Sequence, residues 1–153
     1  MKKYLFIINL VIIALAAGFL GCQTETKGQQ VQEKARQEVS KKGSFVNIDV
    51  KTAFNKIKND SNVVVIDVRT PGEFTGELGH IPGAILRPVQ TIDQWANEAK
   101  KLREQNKKIV LVCRSGNRSG VAARTLAEMG LDSLFNVQGG MRAWNAAGLP
   151  VEK

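Results

Sequence analysis

One histidine, two cysteines and few aromatic residues (6%) are what this 153-residue chain has least of. Each scarcity closes off a function. A metal centre built from side chains needs several converging ligands, and His80 stands alone, so we expect neither a metal nor a cofactor. Lysine and arginine outnumber the acids, giving a formal charge of +8, yet they are scattered and have few aromatics beside them. That pattern does not make a nucleic-acid surface; it suits a small anion or an anionic lipid surface. No internal repeat is present.

The N-terminus has the layout of an export signal. Met1-Lys2-Lys3 is followed by an uncharged run from Tyr4 to Leu20, interrupted only by Asn9, with small residues near its end. Polar sequence begins abruptly after Gly21-Cys22. The segment Phe19-Leu20-Gly21-Cys22 resembles the lipobox of bacterial lipoproteins, with Phe19 where leucine is usual. The resemblance implies cleavage before Cys22 and lipid on that cysteine; the alternative is a retained anchor helix. Either places the remainder outside the cytoplasmic membrane and tethered to it. We therefore expect a signal over 1–21, a polar tether over 22–43, and one domain over 44–153. Loss of the signal leaves a charge of +6. With Cys22 acylated, Cys113 has no intramolecular partner in a compartment that can oxidise thiols.

Within the domain, strand and helix patterns alternate. Strands are expected at Phe45–Ile48, Val63–Val68, Ala84–Leu86, Lys108–Val112 and Leu134–Val137. Helices are expected after Asp49, from Pro71, over Thr91–Gln105, over Ser119–Met129 and over Met141–Ala147. Ala122, Leu126 and Met129 are placed to face the sheet, and Gly130 to end their helix. The continuous β-branched run Val63-Val64-Val65-Ile66 is typical of a parallel strand covered on both faces. The alternation predicts an α/β fold, a parallel sheet with helices on both sides.

Lys108–Val112 delivers Cys113 to the loop Arg114-Ser115-Gly116-Asn117-Arg118-Ser119, just before a helix. Sites in open parallel sheets lie beyond the carboxyl ends of strands. Loop amides can converge as an anion-binding nest, the following helix presents its positive end, and two guanidinium groups add charge. The thiol pKa is therefore expected below that of a free cysteine. Arg114 and Arg118 are also placed to hold a dianion. No histidine lies nearby in sequence to act as a base, so chemistry needing only a thiolate and a sulfur acceptor fits better than hydrolysis.

Val65–Phe74, Gly79–Ala84, Val112–Ser119 and Val137–Trp144 together resemble the rhodanese-like family in order and spacing. The resemblance covers about Phe45 to Val151. It implies a three-layer α/β/α domain with five parallel strands in the order 3-2-4-5-1. It also implies that Cys113 takes a sulfane sulfur as a persulfide and passes it to cyanide or a thiol. Cys113–Arg118 would be the six-residue catalytic loop, with thiosulfate or a related donor. We expect the chain to act as a monomer. Asp67 and Arg69 read best as a buried ion pair supporting the site, and His80 as a hydrogen-bonded structural residue. Gly139, Gly140 and Trp144 serve close packing, and Arg142 is a solvated charge. Two rivals stay open. A cysteine phosphatase or arsenate reductase is disfavoured because Cys-x5-Arg would need arginine at 119, where Ser119 stands. The second is a binding or thiol redox-sensing module of the same fold.

Overall fold

The computed structural model describes residues 43–153. The expected signal and almost all of the expected tether, Cys22 included, lie outside the described residues. The elements are β1 (Phe45–Ile48), α1 (Val50–Asn59), β2 (Val63–Asp67), α2 (Pro71–Phe74), β3 (Ile85–Leu86), α3 (Ile92–Glu104), β4 (Lys108–Val112), α4 (Asn117–Glu128), β5 (Leu134–Val137) and α5 (Gly140–Ala146). All strands pair in parallel, in the order β1-β5-β4-β2-β3, which is 3-2-4-5-1 read from the other edge. The three-layer expectation holds.

Strand alternation divides the core into two layers. Ile66, Val68, Ile109 and Leu111 point to one face, where Trp95 and Ala99 of α3 and Ala122 and Leu126 of α4 cover them. Val65, Val110 and Val112 point to the other, against Ala53 of α1 and Met141 and Trp144 of α5. Burying a residue of this size contributes about 1.5–3 kcal/mol, so β4, buried from Ile109 to Val112, anchors both layers. Trp144 packs edge-on to Phe54 at 6.1 Å and donates its indole N–H to Pro150 O at 2.8 Å.

Two local expectations are corrected. The helix after Cys113 begins at Asn117 instead of Ser119, because Gly116 turns the chain at φ +93° and admits Asn117 and Arg118 to the first turn. Met129 does not face the sheet. It follows the last helical residue, Glu128, and is half exposed. Register places the Asp67 end of β2 beside Val112, so the exits of β2 and β4 share one edge of the sheet.

Candidate active site

Cys113 is buried, with 1% of its surface exposed, at the exit of β4, and it is a free thiol. Its Sγ accepts the Gly116 amide at 3.1 Å and the Ser119 hydroxyl at 3.4 Å. Burial pushes the thiol pKa up, but hydrogen bonds outweigh it and the net shift is downward. The Ser119 hydroxyl contributes most, then the Ser119, Ser115 and Gly116 amides. The thiolate is thus stabilised chiefly by hydrogen bonds, with less reliance on the arginines than the sequence suggests.

The loop is clamped from behind by α5. Met141 N donates to Cys113 O at 2.8 Å and Arg142 N to Arg114 O at 3.0 Å. This approach requires glycine at 140: φ is +54°, and a Cβ there would overlap the Cys113 carbonyl. Both glycines serve close packing: Gly140 lies against the cysteine loop, while at Gly139 (φ +77°) a Cβ would meet Ala143 of α5. Arg142 itself is exposed.

Asp67 and Arg69 form the buried pair the sequence suggested, 0% and 1% exposed. Arg69 Nε reaches Oδ1 and Oδ2 at 2.9 Å each, its Nη2 reaches Oδ2 at 2.7 Å, and Nη2 also donates to Gly79 O at 2.6 Å. His80 is held by structure: its ring stacks on Phe74 at 3.7 Å, Nδ1 lies 3.1 Å from Phe74 O, and Nε2 is 3.6 Å from Glu152.

The arginines behave differently from each other. Arg114 is exposed and makes no ion pair among the described residues. Arg118 forks onto Glu73, with Nη1–Oε2 at 2.8 Å and Nη2–Oε1 at 2.6 Å. The pair of arginines expected to hold a dianion is therefore reduced to one unengaged guanidinium. Glu73 is held down to a pKa of about 2, first by Arg118, against burial, and then by Thr70. Ser115 and Asn117 are exposed at the loop tip. A cleft of about 210 Å³ opens beside the loop, lined by Arg69, Glu73, Glu77, Leu78 and Arg114 among others.

Sequence reasoning missed a polar chain beneath the sulfur. Ser119 Oγ lies 2.6 Å from Asn136 Oδ1, and Asn136 Nδ2 donates to Asn47 Oδ1 at 2.8 Å. The Ser119 hydroxyl has a single proton for both Asn136 Oδ1 and Cys113 Sγ, so the chain from edge strand β1 through β5 sets how much of it the thiolate receives. Its signal was available: Asn136 is polar inside an apolar strand, and a buried amide needs partners. Because the Ser119 hydroxyl and amide both lower the Cys113 pKa, Ser119→Ala, which removes the hydroxyl, should move the midpoint of iodoacetamide alkylation to higher pH. The thiolate fraction at neutral pH then falls. An unchanged midpoint would leave the loop amides alone responsible.

Residues 50–147 match the family model for the rhodanese-like domain. The chain belongs to that family. A sulfurtransferase of Allochromatium vinosum is 34% identical over 104 residues, covering 68% of this chain and 92% of its own length. The thiosulfate sulfurtransferase GlpE of Vibrio cholerae is 30% identical over 108 residues, 71% of this chain and 95% of the relative. An uncharacterised Synechocystis protein is 36% identical over 98 residues, 64% of this chain, but the match spans about half (51%) of it. Among solved structures, a rhodanese-related protein of Thermoplasma volcanium superposes with a TM-score of 0.55 at 32% identity, over 68% of this chain and 94% of that one. A Rhodopseudomonas palustris protein of unknown function, named as a possible tyrosine phosphatase, superposes at 0.64 with 28% identity, over 88% of this chain and 100% of that one. Among the described residues of the rhodanese-like domain, no cluster of histidine, cysteine or carboxylate side chains could hold a metal ion.

Proposed function

We propose that this rhodanese-like domain is a sulfurtransferase that carries sulfane sulfur as a persulfide on Cys113. The observation that supports it most is the thiolate seat: one Sγ accepting the Gly116 amide and the Ser119 hydroxyl in a short loop. In the first half-reaction Sγ attacks the outer sulfur of thiosulfate. The S–S bond breaks, sulfite leaves with the bonding pair, and Cys113–S–S⁻ forms. In the second, cyanide or a thiolate takes the terminal sulfur and the Cys113 thiolate returns. Neither half needs a general base, which agrees with His80 being engaged by Phe74 and Glu152. Purified domain given cyanide and a sulfane donor, thiosulfate or cysteine persulfide, should release thiocyanate, and a preparation that releases none with either donor contradicts the reading.

The phosphatase reading has the Rhodopseudomonas neighbour in its favour. Against it stands Ser119, buried and bonded to Sγ where Cys-x5-Arg would require arginine. Asp67, the carboxylate at this edge of the sheet, is fully engaged by Arg69 and is not placed to protonate a leaving alcohol.

We place the domain in the bacterial cell envelope, exported and anchored through lipid on Cys22, acting as a monomer on a small sulfur anion and a thiol acceptor. The basis is the signal-like N-terminus. No helix among the described residues is long and apolar enough to cross a membrane. Metabolic labelling with a fatty acid should tag the wild type but not Cys22→Ala; a tagged variant contradicts lipidation there.

A further inference from the structure

Around the cysteine loop and the cleft beside it, positive charge is nearly all neutralised in place. Arg69 is matched by Asp67, and Arg118 by Glu73 in a two-pronged pair. Arg114 is the remaining guanidinium, and Glu77, also on the lining of the cleft, adds a carboxylate with no ion partner among the described residues. Glu73 is held firmly in this role. Its Oε2 also accepts the Thr70 amide at 3.3 Å and the Thr70 hydroxyl at 3.1 Å, and its low pKa keeps it ionised at any physiological pH. The mouth of the site therefore presents little net positive charge, although the chain as a whole is strongly basic.

We propose that Glu73 sets the choice of sulfur donor: by holding Arg118 it disfavours dianions such as thiosulfate and favours the persulfide of a small thiol. This rests on the sulfurtransferase reading and narrows it. A dianion entering a partly desolvated cleft needs uncompensated cations near its departing end, where sulfite charge must be stabilised. Arg118 is near enough to feel the Cys113 thiolate but spends both terminal nitrogens on Glu73. A small persulfide, R–S–SH, makes a smaller demand, because a single negative charge departs on its thiolate in place of the two on sulfite. The Cys113 thiolate attacks its outer sulfur, the S–S bond breaks, R–S⁻ leaves with the bonding pair, and Cys113–S–SH keeps the proton. A zwitterionic thiol such as cysteine also offers a carboxylate to Arg114 and an ammonium to Glu77, the two unpaired charges lining the cleft.

The test compares persulfidation of Cys113 by thiosulfate and by cysteine persulfide, as kcat/KM for each, in the wild type, Glu73→Gln, Arg118→Gln and the double variant. Glutamine keeps an acceptor for Thr70, and a urea midpoint for each protein reports that it is folded. Glu73→Gln should raise kcat/KM for thiosulfate about tenfold or more and change that for the persulfide by less than about twofold. In the Arg118→Gln background the same substitution should lose its selective effect, because the charge it releases is gone. Arg118→Gln alone, which strands the Glu73 carboxylate, should lower thiosulfate use more than persulfide use, and this holds even where Glu73→Gln does not fold. Parallel changes with both donors, or a Glu73 effect that survives loss of Arg118, would overturn the proposal while leaving the Cys113 persulfide intact. Failure of every donor to load wild-type Cys113 would remove both readings.

Discussion

Cys113→Ser should reduce thiocyanate formation to the uncatalysed background, a loss of at least about three orders of magnitude. Serine keeps the shape of the site, and its oxygen can still accept the Gly116 amide and face the Ser119 hydroxyl. What it cannot do is ionise near neutral pH or carry a sulfane sulfur, so both half-reactions fail together. The buried, hydrogen-bonded seat makes this substitution a chemical test with little structural cost: it removes a soft nucleophile and leaves the loop clamped by Met141 N and Arg142 N. Equal stability of variant and wild type in urea, alongside lost turnover, is the expected pairing. Retained turnover would move the nucleophile elsewhere.

Arg69→Ala should cost the domain about 3–5 kcal/mol, read as a lower urea midpoint at unchanged slope. The reason is the carboxylate left behind. Asp67 is fully buried and takes three bonds from the Arg69 guanidinium and one from its backbone amide. Alanine removes the counter-charge and also frees Gly79 O, which Arg69 Nη2 holds beside the Phe74–His80 stack. Replacing both partners, as in Asp67→Asn with Arg69→Met, should recover much of the loss, because no buried charge remains unpaired. A midpoint for Arg69→Ala within about 0.5 kcal/mol of wild type would mean that Asp67 finds another partner or water.

The fold was largely legible in the chain because its strands are β-branched runs of the length a doubly covered sheet needs, Val63–Ile66 above all. The cysteine loop was legible for the same reason: Ile109–Val112 ends abruptly in polar residues, so Cys113 falls at a strand exit. Asp67 and Arg69 could be paired from sequence because they are two residues apart. The Arg118–Glu73 fork could not, since it joins residues 45 apart on α4 and α2 and depends on how a four-residue helix is docked. The Asn47–Asn136 link spans 89 residues and follows from the pairing of β1 with β5, which local patterns do not encode. The start of α4 was misplaced because the positive φ of Gly116 fits either a loop or a cap, and only the approach of Gly139 and Gly140 decides between them.

The central claim is that Cys113 holds sulfur, and intact mass spectrometry of the purified domain tests it directly. After treatment with a sulfane donor (thiosulfate and cysteine persulfide in parallel), wild-type protein should gain about 32 Da, one sulfur, located at Cys113 and discharged by cyanide. Cys113→Ser should gain nothing. An unchanged wild-type mass with both donors, or the same gain in the serine variant, would contradict the account.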